Sequence, residues 1–343
     1  MPLRKNIMNR RSLLGLAGAA ALLLAGCTPG ASTTSASTST TGAPATIVGL
    51  SYIPDVQFSP AYLAVDKGLF TAAGATVTLR HHGSSESLFT ALLAGDENFV
   101  VAGGDEMMQA RAGGADLQAV SAYYGTYPVA VIVKDSSTIK TLADLKGKKI
   151  GVPGRYGETW YALQLALKTA DLTEADVTIQ EIGYTAQAAI AADKVDAVMG
   201  FTNSEAVALN RAGVPVRTLA VADNPPLVSI SLITTTAYAK AHPAIVKAVA
   251  TGLTGGLQAA VDDPAGAVTA SVSRVATLTT DAAKADALAK VQASVKLIPV
   301  VSGKASGKLD AVQWAAMATF MKDKGLIATA VDPTAAMTND YQS

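Results

Sequence analysis

Residues 148–170, KKIGVPGRYGETWYALQLALKTA, hold the pattern from which the fold is read. The apolar run at 149–152 has the length of a buried strand, and 159–170 repeats its large apolar residues at helical spacing. PGRYGE between them is a glycine-rich turn, so the segment reads strand, turn, helix. Such a turn leaves free backbone N–H groups at a helix start, a common seat for a phosphate or another anion. Here Glu158 already stands there, a negative side chain where a negative ligand would go. What this helix start receives is therefore an open question of chemistry.

The alternation continues in both directions. Upstream, strands are predicted at 45–52, 76–79, 99–102 and 117–123, with helices at 59–73, 86–94 and 105–113. Downstream, strands at 177–182, 197–200 and 216–220 alternate with helices at 186–193 and 204–212. This repetition predicts parallel βαβ units covered by helices on both faces, an α/β fold. Two long apolar segments, YPVAVIV (127–133) and PLVSISLITT (226–235), are expected to carry the chain out of a first lobe and back. The alanine-rich helical region from His242 onward then returns to the first lobe. The expected division is lobe 1 at 46–128 and 229–343, and lobe 2 at 129–228 with the hinge strands.

The N-terminus, MPLRKNIMNRRSLLGLAGAAALLLAGC, places Arg4, Lys5, Arg10 and Arg11 ahead of an apolar run at 13–25. That is a secretory signal over 1–26, too short and wrongly flanked for a membrane span. LAGC (24–27) resembles a bacterial lipobox, which would make Cys27 the lipidated first residue of the mature chain. NRRSLL (9–14) resembles a twin-arginine export signal. The stretch TPGASTTSASTSTTGAPA (28–45) has no charge and no large apolar residue, so 27–45 is expected to be a disordered tether. The expected location is the outer face of the cytoplasmic membrane, held there by the lipid. Cys27 is the only cysteine, so no intramolecular disulfide is possible. No other apolar run of spanning length is read from the sequence.

The whole chain carries 27 basic and 27 acidic residues. Loss of the four signal cations leaves 23 against 27, which argues against nucleic acid or an anionic bilayer surface as partner. His81 and His82 are adjacent in a predicted strand and would point to opposite faces, leaving only His242 elsewhere, so no metal is expected. No serine has a histidine and an acid placed for a triad. No catalytic residue and no cofactor is predicted.

YIPDVQFSPAYLAVDKGLF (52–70), DLKGKKIGVPGRYGETWYAL (144–163), EIGYTAQAAIAADKVDAVMGFTNSEAVAL (181–209) and AGVPVR (212–217) resemble one family. It comprises the substrate-binding proteins that feed ABC importers for nitrate, alkanesulfonates, thiamine pyrimidine precursors and riboflavin. The similarity runs from about Ile47 to Asp332 in motif order and spacing. Within it VQF (56–58), GDEMMQARA (104–112), YYGTYP (123–128) and PGRYG (153–157) are most similar to the riboflavin and thiamine-precursor branches. The resemblance implies a periplasmic-binding-protein type II fold, two α/β lobes joined by two crossover strands with a ligand cleft between. It also implies no catalysis, a small-molecule ligand, and a monomer that docks on an ABC permease with its ATPase subunits.

In open α/β sheets ligands sit beyond the carboxyl ends of the strands. The helix starts there carry Glu86, Asp105, Glu106, Glu158 and Glu205 in their expected first turns. Each acid can be read as an ordinary dipole-complementing cap. Asp105 is read so, as an N-cap, whereas Glu106, Glu158 and Glu205 are ligand candidates. Arg155 is the single cation inside these loops, too little to offset repulsion of about 1 to 4 kcal/mol from each acid at contact. Aromatic residues make up only 5% of the chain, yet Tyr52, Phe58, Tyr124, Tyr127, Tyr156 and Tyr184 fall in or beside these loops, where a flat ligand could stack. With Asp55 and Asn203 they complete the candidate set. The expected ligand is a planar nitrogen heterocycle, a thiamine pyrimidine precursor or riboflavin. The alternatives are a sulfonate or nitrate binder of the same family, or a surface enzyme using the same cleft.

Overall fold

The structure, a computed structural model, describes residues 45–51, 53–83 and 86–342. The expected signal, Cys27, the tether as far as residue 44, and Tyr52 lie outside the described residues. The chain opens with β1 (Thr46–Leu50), α1 (Ser59–Asp66), α2 (Leu69–Ala73), β2 (Val77–His81), α3 (Thr90–Ala94), β3 (Phe99–Gly103), α4 (Gly104–Ala112) and β4 (Leu117–Ala122). A second run follows with β5 (Val129–Lys134), β6 (Lys149–Val152), α5 (Gly157–Thr169), β7 (Thr178–Glu181), α6 (Ala186–Ala191), β8 (Ala197–Phe201), α7 (Glu205–Arg211) and β9 (Val216–Ala220). The remainder is β10 (Ile230–Thr235), α8 (Thr236–Ala241), α9 (Pro243–Asp262), α10 (Pro264–Ser271), α11 (Asp281–Ser294) and α12 (Ala311–Asp323), with short pieces between.

Two five-stranded sheets result, in the orders β2-β1-β3-β10-β4 and β7-β6-β8-β5-β9. β1 is parallel to β2 and β3, and β6 is parallel to β7 and β8, as the alternation predicts. The crossovers, whose direction the alternation leaves open, run the other way. β5 runs antiparallel to β8 and β9, and β10 runs antiparallel to β3 and β4. A chain that leaves one lobe at the carboxyl end of its last strand enters the other from the cleft side, so its first strand there runs backward.

Two helices also differ from their predicted spans. The stretch 59–73 breaks at Gly68, whose φ of 65° ends α1 and starts α2. The helix expected from residue 86 begins only at Thr90, which leaves Glu86 ahead of it. β3 and β5 are buried along nearly their whole length, as strands covered on both faces must be. α9 is the one helix among the described residues long and apolar enough to cross a membrane, yet half of that stretch is buried inside the fold. It lies against α1 and α2. A Cβ on Gly256 would come 2.1 Å from the Pro60 carbonyl oxygen, so only glycine permits that approach.

Candidate functional site

The carboxyl ends of β3 and β6 launch α4 and α5, and these two helix starts meet at the seam between the sheets. The returning crossover fixes the first: the Gly104 and Asp105 amides donate to the Ser229 and Val228 carbonyls at 2.9 and 3.1 Å. The second begins at Gly157, with φ of 72°, where a Cβ would sit 2.9 Å from Glu106 Oε1. The glycine of the turn thus gives a carboxylate from the other helix room to approach. Asp105, Glu106 and Glu158 are brought together, Asp105 fully buried and Glu158 only 8% exposed.

Both crossovers bond to this cluster. Ser229 Oγ donates to Glu158 Oε1 at 2.7 Å. The Tyr127 hydroxyl lies 2.8 Å from the Glu158 carbonyl oxygen and 3.0 Å from Asp105 Oδ2. A phenol has one proton and cannot donate it to both acceptors. The second contact is a full hydrogen bond only when Asp105 is protonated and donates to the tyrosine oxygen. The Glu106 amide donates to Asp105 Oδ1 at 2.8 Å, and the Gly103 amide donates more weakly to Glu106 Oε2 at 3.3 Å.

The electrostatics agree with that proton. Burial, followed by the negative charges of Glu158 and Glu106, pushes the Asp105 carboxyl well above the usual range. Burial lifts Glu106 to about 7 against the pull of the Gly103 amide. Burial and then Glu106 lift Glu158 to about 8, with Ser229 opposing. No lysine or arginine contributes to any of the three shifts. Desolvation without a counter-cation leaves protonation as the way to relieve the charge.

A second polar group spans the seam between α7 and α11. Asn203, 3% exposed in the loop after β8, donates from Nδ2 to Ser294 Oγ at 2.8 Å. Tyr124, 4% exposed after β4, stacks edge-on against Tyr123 at 5.2 Å and brings its hydroxyl beside Ser294, Asp55 and Glu158. The Asn203 Oδ1 atom has no hydrogen-bond partner. Arg211 on α7 pairs with Asp286 on α11 at the outer edge. Asp55 is half-buried and caps the turn at Val56–Phe58 by accepting from the Gln57 amide at 3.1 Å. Glu205 folds back so that Oε2 accepts from the Phe201 amide at 2.9 Å, and burial raises its carboxyl.

Several expected residues stand elsewhere. Arg155 is exposed and is held by Glu174 and Glu181 while its guanidinium lies 4.9 Å above the Trp160 ring. Its charge is taken up by acids of its own lobe. Glu86 is bound through both oxygens by Arg80 Nη2 at 2.9 and 2.7 Å, which holds its carboxyl below the usual range. Phe58 is a core residue, with its ring edge-on to His81 at 5.5 Å. Tyr156 and Tyr184 are exposed. Asp105, read from sequence as a cap, is not one: Gly103 holds the N-cap position, and Asp105 lies two residues further in, buried. Ser229 and Ser294 were not foreseen. Each is an ordinary serine, 71 and 91 residues from its partner, with no local pattern to mark it.

A family model described as "NMT1/THI5 like" matches residues 55–267. The riboflavin-binding protein RibY of Chloroflexus aurantiacus is 30% identical over 301 residues, covering 86% of this chain and 85% of that protein. The alkanesulfonate-binding protein SsuA from Xanthomonas axonopodis pv. citri, solved bound to MOPS, superposes with a TM-score of 0.67 at 23% identity, over 86% of this chain and 98% of that one. The periplasmic aliphatic sulphonate-binding protein SsuA from Escherichia coli gives a TM-score of 0.67 at 18% identity, over 84% and 96%. The two SsuA structures share the periplasmic-binding-protein architecture with this chain.

Proposed function

The chain belongs to the NMT1/THI5-like family, a substrate-binding family of ABC importers, and on that premise we propose that it captures a planar nitrogen heterocycle by closing its two lobes. The reading rests on Asp105, Glu106 and Glu158, three carboxyls gathered at the seam with no cation beside them. A protonated carboxyl presents one donor and one acceptor side by side. That pair matches the N–H/C=O edge of a flavin or the amino-nitrogen edge of an aminopyrimidine. An oxyanion would instead meet any residual negative charge at a cost of about 1 to 4 kcal/mol per contact. Tyr124 and Tyr127 supply aromatic surface nearby.

One observation favours the sulfonate alternative. Protonation removes much of the charge from the cluster, and a neutral carboxyl can donate to a sulfonate oxygen. A thermal-shift series at pH 7 separates the two readings. Riboflavin or the thiamine aminopyrimidine is expected to raise the melting temperature, with taurine and nitrate without effect. A rise with taurine or nitrate alone overturns the heterocycle.

Closure acts as a population shift, since only the closed state touches ligand with both lobes at once. The cleft is read as one that binds and releases its ligand unchanged, so incubation returns the ligand intact by mass spectrometry. The exported chain is held at the outer membrane face through lipid on Cys27, by the twin-arginine or the general route. Radiolabelled palmitate should enter the wild-type chain and not Cys27→Ser.

A further inference from the structure

The two lobes touch along two edges of the seam, and the edges are built differently. On one, α4, α5 and α12 share a single apolar core that runs from Val100 and Met107 in the first lobe through Trp314 and Met317 to Ile150 and Leu163 in the second. On the other, the cores stay apart among the described residues. The core that includes Val291 of α11 holds first-lobe residues only, and the core that includes Leu209 of α7 holds second-lobe residues only. Between them α7 and α11 meet through polar side chains. Asp286, Lys290 and Ser294 stand four residues apart on one face of α11. Arg211 ion-pairs with Asp286, and Asn203 Nδ2 donates to Ser294 Oγ at 2.8 Å. Burial raises the Glu205 carboxyl, and the nearby Lys290 ammonium draws it back. The second lobe thus offers a cation to an anion, an anion to a cation, and an amide to a hydroxyl.

We propose that the α7–α11 edge is a polar latch: the lobes part there to exchange ligand, and its complementary charges set how much of the ligand-free chain stands closed. This role rests on the reading of two closing lobes and is independent of which ligand they hold. The two edges lose different things on opening. Parting α4, α5 and α12 would bring a shared apolar core into water, at a cost that grows with the area exposed. Parting α7 from α11 uncovers groups that water can satisfy. Arg211 and Asp286 are already 41% and 55% exposed, and exposed ion pairs hold weakly. Asn203 Oδ1, buried without a partner while the edge is shut, gains water when it opens. The contact therefore closes the edge without locking it. The order of charges also fixes the register, since a slide of one turn along α11 would set Arg211 against Lys290.

Spin-label pairs in the ligand-free mature chain carrying Cys27→Ser read the two edges separately. One pair, Ala212→Cys with Ala285→Cys, straddles the latch beside Arg211 and Asp286 without replacing either. The other, Thr169→Cys with Ala316→Cys, straddles the groove between α5 and α12. All of these positions are exposed. Arg211→Glu sets two acids face to face and is expected to raise the ratio of long to short distances across the latch by about 2- to 5-fold. Adding Asp286→Arg restores opposite charges and should return the ratio to that of the parent chain. Distances across the groove should stay unchanged throughout. A latch distance unmoved by Arg211→Glu overturns the proposal, as does a groove that widens with the latch or in its place. A double variant that stands as open as the single one overturns it too. No ligand enters the measurement, so such a result leaves the heterocycle reading standing, and the thermal-shift series tests that reading alone.

Discussion

Glu97 and the Asp105–Glu106–Glu158 cluster are both buried acids in this protein, and they are treated in opposite ways. Glu97, 2% exposed at the amino end of β3, receives Arg80 Nη1 at 2.7 Å and His82 Nε2 at 2.9 Å. Arg80 then reaches on to Glu86, so the edge of the first sheet holds a continuous hydrogen-bonded chain from His82 through Glu97 and Arg80 to Glu86. The cluster at the seam has amides, a phenol and a serine for partners and no cation. A buried acid with a cation is held by structure. One without a cation must keep a proton, and a proton on a carboxyl is a hydrogen-bond donor available to a ligand.

Removing Glu97 is the harshest way to probe that contrast. Glu97→Ala leaves the His82 ring buried without its Nε2 partner, beside an Nδ1 that already lacks one. It also strips Arg80 of one of its two acids. Breaking a buried pair from one side typically costs about 3 to 5 kcal/mol, and urea denaturation should show a loss of that size. A loss below about 1 kcal/mol would mean that the sheet-edge network is as weak as a surface ion pair.

The seam acids give an effect with a definite sign. Their folded pKa values are raised from the ordinary 4.5 to about 7 for Glu106 and about 8 for Glu158. The folded chain therefore holds protons that the unfolded chain has released. The stability they confer is complete below about 4.5 and is lost as pH rises through about 7 and about 8. Each whole proton gives a slope of about 1.4 kcal/mol per pH unit between those limits. Denaturation midpoints should fall from pH 5 to pH 8, and Glu158→Gln, which keeps an acceptor for Ser229, should flatten the fall. Stability that rises over this range would show the carboxyls to be ionised and paired by some other means.

How much of this was legible in the sequence depended on whether the signal was local. The strands at 149–152 and 216–220 match their expected bounds because each is a short run set off by glycine and proline in the adjoining turns. The antiparallel course of β5 and β10 was not readable, since direction within a sheet is a property of the path between lobes. Glu158 announced itself by standing in a glycine-rich turn. Asp105 did not, because a first-turn acid that caps and one that is buried look the same in one dimension. Ser229 and Ser294 reach their partners only through the fold. Arg155 misled in the other direction: a lone cation in an acidic loop set looked like a ligand contact, while Glu174 and Glu181 lay too far along the chain to be recognised as its partners.

Arg155 accordingly offers the gentlest test of the contrast. It is exposed, and its ion pairs with Glu174 and Glu181 are screened by solvent. Arg155→Gln should cost less than about 1 kcal/mol of stability, read from denaturation midpoints. The same variant should change the riboflavin or aminopyrimidine affinity by less than about threefold, because no contact in the structure brings the guanidinium to the seam acids. An anion site would behave otherwise. Were a bound anion neutralised by this one guanidinium, its loss would remove a charge-assisted hydrogen bond worth about 1.5 to 3 kcal/mol, a fall of about 10-fold or more in affinity. A drop of that size, with taurine or nitrate as the ligand lost, would place the arginine back in the cleft and make the acids its counter-charges.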